Sequence, residues 1–241
     1  MGMLLHKRLL VKLSGEALIG NLEFGIDPAM LDKMAVEVAG LHENDVELGL
    51  VVGGGNLFRG AGLAKSGLDR VAGDQMGMLA TVMNAIALND ALLRHGLPSV
   101  VMSGIEMPRI CETYTQREAR KRIGAGEIII FAAGTGNPYF TTDTGASLRA
   151  IEIQADLMIK ATKVDGIYDK DPHKYNDAVK FEKLDYNYAI DQRLAVMDVA
   201  AMILCNDNAL DMVVCDINQP NALIDLAMGK SIGSRVTVKE V

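Results

Sequence analysis

Three short apolar runs in this chain each end at a turn rich in glycine, and this feature constrains the fold most. The runs at 9–13, 48–52 and 128–132 lead into Ser14-Gly15-Glu16, Gly53-Gly54-Gly55-Asn56 and Gly134-Thr135-Gly136-Asn137. Glycine lets backbone N–H groups approach an anion closely, and a strand-to-helix turn adds the partial positive charge of the helix N-terminus. Three such turns in one chain predict a site for several phosphate groups.

The alternation of apolar runs with helical segments predicts an α/β fold, with an open, mostly parallel sheet sandwiched between helices. Strands are expected at 8–13, 46–52, 99–102, 127–132, 156–161, 212–216 and 235–238. Helices are expected at 28–43, 70–95, 115–123, 143–154, 198–208 and 219–228. No linker or repeat interrupts the pattern, so residues 1–241 are expected to form a single domain whose lobes share one sheet.

The composition excludes several classes of protein. The 241 residues carry a formal net charge of −7, without the basic tract that a nucleic-acid groove needs. Uninterrupted apolar runs are shorter than the roughly 18 residues of a membrane span, so no membrane association is expected. Three cysteines without a CxxC pair favour a reducing cytoplasm. Four histidines without metal-ligand spacing predict no protein metal site.

The common phosphate-binding motifs do not fit these turns. The run Gly15–Gly20 has the glycine spacing of a P-loop, but Asn21-Leu22 stands where lysine and serine or threonine are required. The second and third turns lack the last glycine of the dinucleotide fingerprint, because Phe58 and Tyr139 occupy that position. A P-loop ATPase and a Rossmann dehydrogenase are therefore disfavoured.

Five charged residues accompany the turns and are candidates for chemistry. Lys12 ends an apolar strand at the sheet edge where ligands bind in open α/β folds, although it could be a surface lysine. Arg59 could clamp phosphate with its planar fork. Asp143 and Asp198 each precede a helix and could equally be N-caps. Asp74 suits sugar hydroxyls, although a helix N-terminus favours aspartate without any ligand.

Two further segments each leave two interpretations open. Met76, Leu79, Met83, Ile86 and Leu93 recur at helical spacing in the segment 70–95. They form either a core stripe or a subunit interface, where methionine is also common. The polar run 160–172 leaves a strand and contains Tyr168, so it either holds a purine nucleotide or is a hydrophilic loop.

Six motifs, in this order along the chain, closely resemble the bacterial uridylate kinase family of the amino-acid kinase superfamily. They are Lys12-Leu13-Ser14-Gly15-Glu16-Ala17-Leu18, Gly53-Gly54-Gly55-Asn56-Leu57-Phe58-Arg59-Gly60, Gly73-Asp74-Gln75-Met76-Gly77-Met78, Gly134-Thr135-Gly136-Asn137-Pro138, Thr141-Thr142-Asp143 and Lys160-Ala161-Thr162-Lys163-Val164-Asp165-Gly166. The resemblance spans roughly residues 7–238. The third motif and the string from Gly136 to Asp143 are particular to the uridylate branch.

The resemblance implies an amino-acid kinase fold and phosphoryl transfer from MgATP to UMP, giving UDP and ADP in pyrimidine nucleotide biosynthesis. The N-terminal lobe, about 1–130, would serve mainly UMP, and the C-terminal lobe, about 131–241, mainly ATP. The implied catalytic residues are Lys12, Arg59, Asp143 and Asp198. The implied ATP contacts are Lys12, Leu13, Ser14, Gly15, Gly55, Arg59, Thr162, Tyr168 and Asp171. The implied UMP contacts are Gly54, Asp74, Thr135, Gly136, Asn137, Pro138, Tyr139, Phe140, Thr141 and Thr142.

The resemblance also implies a homohexamer, with GTP as a possible activator and UTP as a possible inhibitor. The segment 20–25 matches in length a loop that the family links to GTP activation, but Leu22 and Glu23 differ from the enteric pattern. Whether GTP activates this chain therefore stays open. Mg²⁺ is expected to be held mostly by phosphates and water, because it keeps its hydration readily.

Two other functions stay under consideration. The first is another kinase of the superfamily, acting on a carboxylate or a carbamate, whose acceptor site would not need Asp74 or the string 135–142. The second is a nucleotide-binding sensor without catalysis. Loss of the Lys12 or Asp143 equivalents would favour the sensor, and both residues are present.

Overall fold

The structure is a computed structural model that describes residues 3–58 and 67–238. Its strands are β1 (Arg8–Leu13), β2 (Glu47–Val52), β3 (Ser99–Ser103), β4 (Glu112–Thr113), β5 (Ile128–Ala132), β6 (Leu157–Thr162), β7 (Ile167–Tyr168), β8 (Lys180–Phe181), β9 (Lys183–Asp185), β10 (Met212–Asp216) and β11 (Ser234–Thr237). Its helices are α1 (Pro28–His42), α2 (Arg70–Arg94), α3 (Gln116–Gly124), α4 (Thr142–Glu152), α5 (Tyr186–Asp191), α6 (Val199–Asp207) and α7 (Ala222–Ala227). A 3-10 helix, Gly15–Leu18, follows β1.

Within the described residues, nine strands form one sheet in the order β4-β3-β5-β2-β1-β6-β10-β11-β9. Neighbouring strands run parallel except for β10 and β11, which run antiparallel. Strands β7 and β8 form a separate antiparallel pair. The prediction of an open, mostly parallel α/β sheet is thereby confirmed. The strands on either side of residue 130 share this sheet, and the division into two lobes stays a prediction.

The predicted elements match the observed ones closely. The predicted strands correspond to β1, β2, β3, β5, β6, β10 and β11, and the predicted helices to α1 through α4, α6 and α7, with ends that differ by at most three residues. The sequence patterns did not predict β4, β7, β8, β9, α5 or the 3-10 helix. The missed strands have two or three residues, fewer than the four or more over which a strand pattern can be recognised. The 3-10 helix and α5 have four and six residues, well below the length over which helical periodicity is distinctive.

The sheet is apolar on both faces because helices cover both. In β1, Leu9, Val11 and Leu13 face one core, which α1, α2 and α7 complete. Leu10 points to the other core, which α3, α4 and α6 complete. Successive side chains of a strand alternate between faces, so a fully buried strand reads as a continuous apolar run. This is why the central strands were visible in the sequence.

Helix α2 buries the face opposite to the stripe that the sequence analysis singled out. The exposed fractions are 44% for Met76, 50% for Leu79, 57% for Met83, 41% for Ile86 and 52% for Leu93. The buried face consists largely of smaller residues. The interpretation of the stripe as core is therefore wrong, and a contiguous row of exposed apolar side chains needs another explanation.

By length and composition alone, α2 would be able to cross a membrane. The lengths of the uninterrupted apolar runs did not reveal this property, because polar residues are spaced along α2. This property is weak evidence for a membrane span. Within the most apolar window of α2, 44% is buried in the fold, and core helices of soluble proteins pass the same test.

Two valines on α1 provide a test of the described packing. Val38 is fully buried, whereas Val36 is 61% exposed. We expect Val38→Ala to lower the free energy of unfolding by about 2 kcal/mol, because it removes buried methyl groups and leaves a cavity. The matched control Val36→Ala should change it by less than about 0.5 kcal/mol. Urea denaturation measures both, and equal losses would contradict the assigned helix face.

Candidate active site

The glycine turns meet at the carboxyl edge of the sheet. They follow β1, β2 and β5, and these strands are adjacent in the order β5-β2-β1. A Cβ atom on Gly15 would lie 2.5 Å from the carbonyl oxygen of Gly53, so the first two turns touch where only glycine fits. The side chain of Ser14 caps the 3-10 helix by accepting a hydrogen bond from the Glu16 N–H at 3.3 Å.

Two lysines from neighbouring strands share one carboxylate at this edge. The Nζ of Lys12 lies 2.9 Å from Oδ1 of Asp143, and the Nζ of Lys160 lies 2.8 Å from Oδ2. Lys160 also donates a hydrogen bond of 2.5 Å to the carbonyl of Val196. Asp143 is not the N-cap of α4, since Thr141 fills that position. The cluster of Lys12, Asp143 and Lys160, the Lys–Asp–Lys cluster, is therefore an ion-pair site rather than a helix cap.

Burial and charge act against each other in the Lys–Asp–Lys cluster. Burial by itself would raise the pKa of Asp143, but the charges of Lys12 and Lys160 outweigh it and lower that pKa. Burial lowers the pKa of Lys160, and the positive charge of Lys12 adds to this effect. The carboxylate thus stays ionised, and the two ammonium groups are held close together at the place where phosphate is expected.

Asp198 connects two helix N-termini. Its Oδ1 accepts a hydrogen bond of 3.0 Å from the Ala201 N–H and so caps α6. Its Oδ2 accepts hydrogen bonds of 2.5 Å from the hydroxyl of Thr141 and 2.9 Å from that of Thr144. The cap interpretation from the sequence is thus confirmed, and the same carboxylate also holds the loop that precedes α4.

A first cavity, of about 380 Å³, opens between α2 and the loop that follows β5. It is lined by Gly54, Gly55, Phe58, Leu68, Asp69, Arg70, Gly73, Asp74, Gly77, Met78, Thr81, Gly134, Thr135, Asn137, Phe140, Thr141 and Thr142. Most of the predicted UMP contacts lie in this lining, whereas Gly136, Pro138 and Tyr139 do not. Gly55, which the resemblance assigns to ATP, lines this cavity as well.

Asp74 joins α2 to that loop. Its Oδ2 accepts a hydrogen bond of 2.8 Å from the backbone N–H of Tyr139 and another of 2.8 Å from Nε of Arg70. Burial opposes ionisation of Asp74, but the two hydrogen bonds prevail and lower its pKa. The alternative that Asp74 sits at a helix N-terminus is wrong, because α2 begins at Arg70 and Asp69 is its N-cap.

A buried arginine of α4, Arg149, holds the start of the loop after β5. Nη2 of Arg149 donates a hydrogen bond of 3.1 Å to the carbonyl of Gly134, while Nη1 pairs with Glu152 at 2.5 Å. The guanidinium also lies 3.7 Å from the ring centroid of Tyr114.

The left-handed backbone of Tyr139, with φ of 72°, is uncommon for a residue other than glycine. The Asp74 hydrogen bond to its N–H helps to hold it.

A second cavity, of about 620 Å³, lies beyond the carboxyl end of β6. It is lined by Lys160, Thr162, Lys163, Val164, Gly166, Ile167, Tyr168, Asp169, Lys170, Asp171, Pro172, His173, Gln192, Arg193, Leu194, Ala195, Val196 and Val214. The predicted ATP contacts Thr162, Tyr168 and Asp171 are among them. The hydroxyl of Tyr168 donates a hydrogen bond of 2.7 Å to Asp165. Lys12, Leu13, Ser14 and Gly15 lie outside this lining, at the end of β1.

Arg59 lies outside the described residues, so its predicted role has no structural account here. Two residues of the site, Lys160 and Arg149, were not predicted as site residues, although Lys160 begins the sixth motif. Lys160 carried the signal that singled out Lys12, namely a lysine within an apolar strand at a sheet edge. Arg149 carried none, because its position within a helix resembles that of an ordinary surface arginine.

A model of the amino acid kinase family matches residues 7–216 of this chain. The uridylate kinase of Stutzerimonas stutzeri (strain A1501) is 54% identical over 96% of this chain and 94% of its own length. The uridylate kinase of Pseudomonas aeruginosa (strain UCBPP-PA14) is 53% identical over the same shares. These matches extend over nearly the whole chain, including both cavities.

Solved structures agree with these sequence matches. The crystal structure of UMP kinase from Bacillus anthracis has a TM-score of 0.94 and 32% identity, covering 98% of this chain and 97% of that one. UMP kinase from Ureaplasma parvum has a TM-score of 0.89 and 33% identity, covering 96% and 98%. The chain therefore belongs to the amino acid kinase family and, within it, to the bacterial uridylate kinases. The fold and the family that the sequence motifs indicated are confirmed.

The Lys–Asp–Lys cluster predicts a large effect of removing its carboxylate. We expect Asp143→Asn to lower the free energy of unfolding at pH 7 by about 3 kcal/mol, because two partly buried ammonium groups lose their counter-charge. The control Asp177→Asn, at an exposed pair with Lys170 at 2.7 Å, should cost less than about 1 kcal/mol. Urea denaturation distinguishes them, and a similar small loss in both variants would contradict the cluster's importance.

The difference in the free energy of unfolding between the wild type and Asp143→Asn should depend on pH. Because the folded pKa of Asp143 is lowered, its ionised form contributes its full stability above the ordinary carboxyl value of about 3.9. The contribution is lost as the pH falls through the lower folded value. The gap in stability between the wild type and Asp143→Asn should therefore be constant from pH 7 to about 5 and shrink below about 4. A gap that widens on acidification would contradict this sign.

Proposed function

We propose that this chain transfers the γ-phosphoryl group of ATP to UMP, giving UDP and ADP, in pyrimidine nucleotide biosynthesis. The observation that carries the proposal is the Lys–Asp–Lys cluster, because it links two cavities at one sheet edge. Lys160 lines the second cavity, and Asp143 directly follows Thr142, which lines the first. Two paired cations between two ligand cavities suit a phosphoryl group that passes from one ligand to another.

In this proposal UMP occupies the first cavity and ATP the second. Asp74 would accept hydrogen bonds from the ribose, and the loop from Thr135 to Thr142 would read the uracil. Tyr168 would pack against the adenine, with Thr162 and Asp171 nearby. The N-terminal lobe would thus serve mainly UMP and the C-terminal lobe mainly ATP, although the loop after β5 contributes to the first cavity.

The reaction is an in-line displacement. A phosphate oxygen of UMP forms a bond to the γ-phosphorus, the bond from that phosphorus to the bridging oxygen breaks, and its electrons leave with ADP. Lys12 would contact the transferring group, with Arg59 as a second cation and Asp143 orienting both Lys12 and Lys160. Asp198 would position the hydroxyls of Thr141 and Thr144. No general base is required, because the attacking oxygen is already largely ionised near pH 7.

Mg²⁺, when bound, would neutralise charge on the phosphates of ATP. No group of three histidine, cysteine, aspartate or glutamate side chains suited to a metal occurs in the described part of the chain. Asp143 is engaged by two lysines. Phosphate oxygens and water are therefore the proposed ligands of Mg²⁺. We further propose a cytoplasmic enzyme, with GTP as a possible activator and UTP as a possible inhibitor.

A panel of acceptors tests the proposed function. ADP release should be fastest with UMP and at least about 100-fold slower with CMP, because cytosine reverses the donor and acceptor at two positions of the ring. Phosphorylation of CMP within about tenfold of UMP would contradict selection of uracil. Activity with glutamate, aspartate or carbamate and none with UMP would indicate another kinase of the superfamily. Nucleotide binding without turnover of any acceptor would indicate a sensor.

Asp74→Asn tests the assignment of the first cavity. The change removes the charge that strengthens hydrogen bonds from ribose and from the Tyr139 N–H, so the KM for UMP should rise at least about tenfold. The KM for ATP should change little. Asp90→Asn is the matched control, because Asp90 pairs with Arg94 four residues later on the same helix at 3.1 Å, as Arg70 pairs with Asp74. Equal damage to both substrates would contradict the assignment.

We also propose a homohexamer with the exposed stripe of α2 in a subunit contact. The exposure of Met76, Leu79, Met83 and Ile86 supports a covered surface, and symmetric assemblies bury the same patch from each partner. Met83→Glu would bury an unpaired carboxylate in that contact and should reduce the mass measured by light scattering. A wild-type monomer would contradict the assembly. A folded Met83→Glu variant with the wild-type mass would place the contact elsewhere.

A further inference from the structure

Two buried asparagines face each other beside the second glycine turn. Asn56 ends that turn and is 2% exposed, and Asn84 lies on the buried face of α2 and is fully buried. Nδ2 of Asn84 donates a hydrogen bond of 2.6 Å to Oδ1 of Asn56. Nδ2 of Asn56 donates one of 3.0 Å to Oδ1 of Asn84. The two side chains therefore form a reciprocal amide pair.

The remaining amide hydrogens bind backbone carbonyls on either side of the pair. Nδ2 of Asn84 donates a hydrogen bond of 2.7 Å to the carbonyl of Gly53, and Nδ2 of Asn56 donates one of 3.0 Å to the carbonyl of Gly25. An amide nitrogen has two hydrogens, so both nitrogens use their full capacity. Rotating either amide by a half-turn would set its oxygen against a carbonyl oxygen. The network therefore fixes a single orientation of each side chain.

The pair ties together three segments that meet at the site. It attaches α2 to the turn Gly53–Gly55, and the Gly25 N–H donates a hydrogen bond of 3.2 Å back to the carbonyl of Asn56. The same turn abuts Gly15, since a Cβ atom there would lie 2.7 Å from Oδ1 of Asn56. The position of the second glycine turn relative to the first thus depends on the two asparagine side chains.

We infer that Asn56 and Asn84 are positioning residues for phosphoryl transfer, because their amide pair sets the Gly53–Gly55 turn against Gly15. This inference rests on the proposed function. Neither asparagine lines either cavity, so neither contacts a nucleotide there. Their effect is exerted through the turn, whose residues Gly54 and Gly55 line the first cavity, and small displacements of groups that position a substrate can cost about 100-fold in rate.

Asn84→Ala tests the inference. We expect kcat to fall at least tenfold while the KM for ATP changes less than about threefold, because no residue of the turn lines the second cavity. The KM for UMP should rise by a smaller factor than kcat falls, because only Gly54 and Gly55 of the turn line the first cavity. Leu88→Ala is the matched control, since Leu88 is fully buried on the same helix one turn later. It should lower the melting temperature by a similar amount or more and keep kcat within twofold at a temperature well below melting.

Two additional measurements separate a positioning role from a purely structural one. Asn56→Ala and the double variant complete a double-mutant cycle, and the double variant should lose no more kcat than the more damaged single variant, because the pair acts as one unit. Amide hydrogen exchange at residues 53–56 should accelerate in Asn84→Ala and not in Leu88→Ala. If Asn84→Ala does not fold, Asn84→Ser leaves a smaller cavity, still breaks the reciprocal amide pair with Asn56, and takes its place under the same criteria.

The outcomes distinguish this inference from the proposed function. A wild-type protein that releases no ADP with UMP contradicts the proposed function, and hydrogen exchange at 53–56 still decides whether the pair fixes the turn. An active wild type with Asn84→Ala within twofold of its kcat overturns the inference alone. Losses of kcat that multiply in the double variant, or that Leu88→Ala reproduces, overturn it as well.

Discussion

The pairing of Lys12 and Lys160 through Asp143 is the interaction on which the site depends. The two lysines are register partners on the parallel strands β1 and β6, so their side chains leave the same face of the sheet side by side. Like charges in that arrangement repel and destabilise the sheet. One carboxylate from α4 contacts both at 2.9 and 2.8 Å and makes the arrangement tolerable. The N-terminus of α4, and with it the loop after β5, is consequently held above the sheet edge.

The surrounding contacts keep that edge rigid by satisfying polar groups internally. Asp198 holds the hydroxyls of Thr141 and Thr144, Arg149 holds the Gly134 carbonyl, and Asp74 holds the Tyr139 N–H. The contacts of Thr144 and Arg149 are partly buried, where an unpaired polar group is costly, so these two restrict the loop most strongly. These contacts therefore define the shape of the first cavity through the protein's own hydrogen bonds, which is typical of sites that depend on electrostatic preorganisation.

The sequence predicted the central strands and most helices because each is long and strongly patterned. It also predicted the sheet edge that carries the site, since glycine turns and Lys12 mark the ends of buried strands. The partners of these residues were not predictable. Nothing in a one-dimensional pattern says that Asp143 contacts Lys160 or that Asn84 contacts Asn56, because those pairs are 17 and 28 residues apart and join different elements. Short elements such as α5 and β9 were not predicted, because they contain too few residues to show a clear hydrophobic period.

Helix α2 shows where hydrophobic periodicity reaches its limit. Its two faces are both apolar, and the stripe with the larger side chains, Met76, Leu79 and Met83, is the exposed one. The inner face carries smaller residues because α2 packs closely on the sheet and on the turn after β2; a Cβ atom on Gly54 would lie 2.9 Å from that of Ala80. Side-chain size therefore follows the space available and not the direction of the core. Because α2 lies close to the turn after β2 on one side, its larger side chains lie on the other side, where the proposed subunit contact would cover them.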